Sequence, residues 1–143
     1  MTQTSHNPNE TKKIAADFSQ TLKGGDIVVL KGDLGSGKTT FVQGLAESLG
    51  VASPVTSPTF IGMQLYNIPS HPSIKTLCHI DAYRFQSIND VISAGLDEYL
   101  GAKDILSIIE WPQQLFGQLQ KPHKTIEFQH QDESARLIEI KDK

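Results

Sequence analysis

Residues 32–39 read Gly32-Asp33-Leu34-Gly35-Ser36-Gly37-Lys38-Thr39, a complete match to the G-x-x-x-x-G-K-[ST] phosphate-binding loop. The chemistry explains the spelling. Glycines let successive backbone N–H groups turn inward around phosphate oxygens. Lys38 supplies a point charge to the β- and γ-phosphates, and the Thr39 hydroxyl reaches Mg2+.

Such a loop needs an acid at the end of a neighbouring strand to hold Mg2+ or its waters. Two residues qualify. Asp81 ends Leu77-Cys78-His79-Ile80, and Glu110 ends the apolar run 105–109. Both should emerge at a strand's C-terminal edge, where open α/β sheets bind ligands. Glu110 is the stronger of the two because its run is the most apolar, and a glutamate there can also orient or deprotonate the attacking water. Lys38, Glu110 and Asp81 are thus the catalytic candidates, and Thr39, Glu110 and Asp81 the metal candidates. The plainer reading of each acid is a solvated strand-end carboxylate.

Other polar residues leave alternatives open. Thr56-Ser57-Pro58-Thr59 is a stiffened hydroxyl loop that can bring an oxygen near a γ-phosphate, or simply a segment with good turn chemistry. Arg84 can stabilise transferring phosphate, pair with an acid or face a partner. His79 alternates with Asp81, so both point to one face of the strand; it reads as a structural histidine. Trp111, directly after Glu110, reads as packing.

The elements that must position these groups are legible. Residues 26–31 form a short β-branched run after Gly24-Gly25, the pattern of a buried strand. After the loop, Phe41, Val42, Leu45, Ala46 and Leu49 recur at helical spacing, and Gly50 stands where a helix ends. Strand, glycine loop and helix together aim a helix N-terminus at phosphate. The first dozen residues read as disordered, about 1–8 at least, until Asn9 or Thr11 opens a helix with Ile14, Ala15, Phe18 and Leu22 on its apolar face.

Residues 59–67 and 74–81 read as strands joined by the turn-rich 68–73, an antiparallel hairpin. Residues 87–100 suggest one helix broken near Gly95 or two short ones. The run 105–109 is a central strand covered on both faces, a short helix follows over 113–119, and 125–129 with 136–141 form a closing hairpin. The expected fold is α/β, a P-loop NTPase-type three-layer sandwich whose mixed, mostly parallel sheet carries edge hairpins, in one domain over 1–143.

Composition excludes several classes. The 143 residues are 38% hydrophobic and 20% charged, with a net charge of −3. Only Arg84 and Arg136 are arginines, so a broad nucleic-acid surface is not expected. Cys78 is the single cysteine, which rules out an intrachain disulfide. The polar N-terminus has no apolar signal region and no stretch approaches a membrane span, so cytoplasmic residence is the default expectation.

Taken together, Gly32 to Thr40, Ser57-Pro58-Thr59-Phe60, His79-Ile80-Asp81-Ala82-Tyr83-Arg84 and Glu110-Trp111 resemble the TsaE (YjeE) family, bacterial ATPases of tRNA threonylcarbamoyladenosine synthesis. The order and spacing fit from about Asn9 to Trp111. The resemblance implies Mg-ATP hydrolysis, slow in isolation, and partnership with the TsaB and TsaD proteins. Those partners transfer a threonylcarbamoyl group to adenosine 37 of tRNA, so tRNA is met only through the complex. By position, Gly32, Gly35, Ser36, Gly37, Lys38, Thr39 and Thr40 would hold the phosphates and Thr11 would lie beside the nucleotide. Thr39 and Glu110 would take Mg2+, with Asp81 and Thr59 close by. Ala82, the stretch 61–64 and the 68–73 connection depart from the family pattern without touching this chemistry.

Two other functions fit the same loop. A small-molecule kinase could use Asp81 to Arg84 on its substrate, although such an enzyme is expected to carry further arginines. A nucleotide-gated binding module would use hydrolysis only to reset a protein interaction. A guanine-reading Asn/Thr-Lys-x-Asp motif is absent from the sequence, which favours adenine.

Overall fold

The computed structural model describes residues 1–32, 36–56, 62–115 and 117–142. Gly35 and Thr59 of the expected site, and with them Ser57, Pro58 and Phe60, lie outside the described residues.

Seven strands form one sheet: β1 Thr2–Ser5, β2 Ile27–Gly32, β3 Met63–Asn67, β4 Thr76–Asp81, β5 Ile105–Glu110, β6 Lys124–His130 and β7 Arg136–Asp142. Their order across the sheet is β1-β7-β6-β2-β5-β4-β3. The central pairings β6–β2, β2–β5 and β5–β4 are parallel, while β4–β3, β6–β7 and β7–β1 are antiparallel. Both expected hairpins are present, β3–β4 at one edge and β6–β7 one strand in from the other, where β1 is the edge strand, and β5 lies inside the sheet between β2 and β4.

Helices α1 Pro8–Ser19 and α2 Lys38–Ser48 cover one face. There Val28, Leu30, Leu106, Ile108 and Ile126 of the strands meet Ile14, Phe18, Phe41 and Leu45. The opposite face carries Ile27, Val29, Ile80 and Ile109, packed under Val91 of α3 Ile88–Ser93 and under Leu96, Leu100 and Trp111. Alternate residues of β2 therefore feed different cores, which is why its run is apolar without alternation. Phe41 is fully buried, with its ring edge-on to Phe128 at 5.5 Å between centroids. Burial of that size contributes about 1.5–3 kcal/mol. Gly44 lets α1 and α2 touch, since a Cβ there would sit 2.6 Å from Lys12 Cα.

Two sequence expectations are corrected. The N-terminus is ordered: β1 pairs with β7, and α1 opens at Pro8 under an Asn7 cap that accepts the Glu10 N–H at 2.8 Å. An Asn-Pro step followed by an acid is a helix-start signal, but it was masked by the polar composition around it. The element expected over 113–119 is only a 3-10 turn, Gln113–Leu115, and Gly117 at φ 81° turns the chain away. The 87–100 segment divides at Gly95, with α3 before it and the turn Leu96–Glu98 after it. Among the described residues no helix is long and apolar enough to cross a membrane.

Candidate functional site

The loop's flanks converge on the C-terminal edge of the sheet. β2 ends at Gly32, and α2 begins directly after Gly37, whose φ of 103° is a left-handed conformation that suits glycine. Gly37 provides no side-chain cap for α2, so the first-turn N–H groups of Lys38, Thr39 and Thr40 keep their capacity for an anion.

The two acids come from neighbouring strands. Asp81 is the last residue of β4 and Glu110 the last of β5, and the parallel register sets them opposite each other. Leu30 of β2 pairs with Glu110 from the other side. The backbone locks this row, with Trp111 N–H donating to Leu30 O at 2.9 Å and Ala82 N–H to Glu110 O at 3.0 Å. Trp111 itself is buried and donates its indole N–H to Leu115 O, so it packs as expected.

Gly37, Lys38, Thr39, Thr40, Asp81 and Glu110 all line one cavity of 320 Å3, and so does Thr11. The rest of its wall is Ser5, Asn7, Pro8, Ser134 and Arg136. That wall was not foreseen. It exists because β1 adds to β7 and brings the N-terminus beside α1. Ser5 Oγ lies 2.6 Å from Thr11 Oγ1, with both side chains buried. The turn before Arg136 is tied by Asp132, which accepts the N–H groups of Ala135 at 2.8 Å and Ser134 at 2.9 Å. Those bonds hold its carboxyl below the usual carboxylate range.

Lys38 is buried and its ammonium is partnered. It donates to Gly32 O at 2.5 Å and to the Tyr83 hydroxyl, and it lies 4.4 Å from the Tyr83 ring centre. Tyr83 in turn donates to Gly32 O at 2.7 Å, and its own N–H is held by Asp81 at 3.0 Å. Tyr83 belongs to the 79–84 segment that carries the family resemblance, but only the folded chain sets it against Lys38. Arg84 is exposed and does not line the cavity. Ser36 Oγ is buried with no hydrogen-bond partner among the described residues.

His79 is a buried residue of β4, as a structural histidine is expected to be, and its one side-chain hydrogen bond among the described residues is with a candidate acid. It is fully buried, and its Nε2 lies 2.8 Å from Glu110 Oε2. A carboxylate only accepts, so Nε2 carries the proton and donates. Nδ1 is buried and meets no partner among the described residues. Cys78, next in line, faces the other core, where burial pushes its thiol up to about 12, far from redox reactivity at neutral pH.

The donor set suits a hard cation that arrives with phosphate. Two carboxylates and a hydroxyl supply oxygen alone, and Mg2+ is usually held by one or two carboxylates together with substrate phosphates and waters.

Comparison with known proteins identifies the family. The family model "Threonylcarbamoyl adenosine biosynthesis protein TsaE" matches residues 5–138. The tRNA threonylcarbamoyladenosine biosynthesis protein TsaE of Bacillus subtilis is 37% identical over 132 residues, covering 92% of this chain and 79% of that protein. Its namesake in Rickettsia felis is 36% identical, covering 94% of this chain and 76% of that protein. The crystal structure of Bacillus subtilis YdiB superposes with a TM-score of 0.75 at 32% identity, covering 99% of this chain and 84% of that chain. The match over residues 5–138 takes in every residue that lines the cavity. The chain belongs to the TsaE family of threonylcarbamoyl adenosine biosynthesis proteins.

Proposed function

We propose that this protein binds Mg-ATP in the 320 Å3 cavity and hydrolyses it to ADP and phosphate in support of threonylcarbamoyl transfer to adenosine 37 of tRNA. The observation that carries the reading is the meeting of the α2 N-terminus with the paired Asp81 and Glu110 in one cavity. Lys38 and the first-turn N–H groups of α2 bind the phosphates, together with Gly32, Gly35 and Ser36 of the loop. Thr39, Glu110 and Asp81 hold Mg2+ or its waters, and Glu110 also orients the attacking water. Bound Mg2+ would neutralise charge on the phosphate oxygens as the terminal bond breaks. Thr11, beside Ser5, borders the nucleotide, and Thr59 serves the γ-phosphate side.

Hydrolysis is slow until a TsaB–TsaD-type complex docks. Arg136 lines the cavity and Arg84 does not, so the charge that speeds hydrolysis is completed when the partner docks. Ordering a loop and supplying a cation can contribute ~10³–10⁵-fold in rate in phosphate-loop enzymes.

Measuring ATP turnover alone, with the TsaB and TsaD proteins, and with tRNA alone tests the reading. Partner addition should raise turnover far more than ATP affinity, and tRNA should change neither. A fast isolated enzyme indifferent to those partners would overturn it.

A further inference from the structure

We propose that His79 is a positioning residue for metal binding: it fixes one oxygen of Glu110 so that the other is presented to a divalent cation in the cavity. The inference rests on the reading of Glu110 as a metal-holding acid. It begins with register. His79 pairs with Ile108, two residues before the Asp81–Glu110 pair, so its ring lies on the Glu110 face and one diagonal step back. From there Nε2 reaches Glu110 Oε2 at 2.8 Å.

The environment gives this contact weight. His79 is 0% exposed, and the position lies among apolar residues of β4 that a hydrophobe would fill without desolvation cost. The one hydrogen bond the ring makes goes to Glu110, and its second nitrogen meets no partner among the described residues. Glu110 Oε2 is thereby committed. Oε1 has no hydrogen bond among the described residues, and Glu110 lines the cavity. A glutamate at a strand end otherwise samples several rotamers, and holding one oxygen removes that freedom before the cation arrives. Asp81 has a different anchor, the Tyr83 N–H, so the two acids are positioned independently.

The test titrates Mn2+ into the full-length protein with ADP, read by the loss of the free-ion EPR signal, alongside ADP affinity in EDTA. His79→Leu should weaken Mn2+ binding about tenfold or more, the usual scale for a lost outer partner. ADP affinity in EDTA should stay within about twofold, because the contact serves the acid and not the phosphate cradle. His79→Gln, whose amide N–H can reach the carboxylate, should recover most of the loss; His79→Asn, which stops short, should not. The Asn and Gln pair carries the comparison if the Leu variant does not fold. Unchanged Mn2+ binding in His79→Leu, or an equal loss of ADP affinity in EDTA, overturns the proposal. Glu110→Gln separates the two readings. If it weakens Mn2+ while His79→Leu and His79→Asn do not, only the role of His79 falls. If Glu110→Gln leaves Mn2+ binding intact, the metal role of Glu110 falls first.

Discussion

The Lys38 ammonium and the Tyr83 hydroxyl bond to each other and share one acceptor, the carbonyl oxygen of Gly32. Gly32 and Tyr83 thus satisfy the lysine. On the proposed reading, phosphate oxygens would replace the tyrosine hydroxyl at the ammonium.

Lys38→Ala should abolish measurable ATP binding in calorimetry, because it removes the point charge proposed to meet the β- and γ-phosphates. Tyr83→Phe should instead tighten ATP binding several-fold. The variant removes a competing hydrogen bond, worth about 1 kcal/mol net, from the free state. Weaker binding in Tyr83→Phe would mean that the hydroxyl serves the bound nucleotide rather than its absence.

Replacing the acids and the hydroxyl should split binding from turnover. Thr39→Ala should weaken ATP binding with Mg2+ more than without it. Glu110→Ala should lose hydrolysis and keep most ATP affinity, and Asp81→Asn should lose less. Glu110→Ala also leaves the buried His79 N–H without its acceptor, so a stability loss of about 1–3 kcal/mol should accompany it in denaturant melts. A dead Asp81→Asn beside a nearly wild-type Glu110→Ala would reverse the ranking.

Deleting residues 1–6 should weaken ATP binding even though no loop residue is touched. The deletion removes Ser5 and its 2.6 Å contact to Thr11 from the cavity wall, and it uncovers the β7 edge. Wild-type nucleotide affinity in the truncated protein would show that the wall is only scaffolding.

Gly44→Ala tests the helix pair that frames the site. The new Cβ meets Lys12 Cα at 2.6 Å and Lys12 O at 2.9 Å, and these are backbone atoms that cannot rotate aside. Forcing α1 away from α2 should cost about 1–3 kcal/mol. The melting temperature should then fall by roughly 3–10 °C for a chain of this size. A melt within 1 °C or so of wild type would show that the helices separate freely.

By itself the sequence determined what depends on neighbours along the chain. Lys38 and Thr39 are set by the loop's spacing, the strand before it by a continuous apolar run, and the helix after it by a 3.6-residue repeat closed at Gly50. Asp81 and Glu110 were legible because each ends an apolar run, and strand order alone then brings them opposite each other. Three features waited for the tertiary structure. Ser5 joins the cavity only because β1 pairs with β7, more than 130 residues away in sequence. Tyr83 meets Lys38 across 45 residues, and His79 meets Glu110 across 31. Each contact depends on register between distant strands or on the path of a loop. Local propensity and periodicity carry no record of which distant residue will fold against a given one.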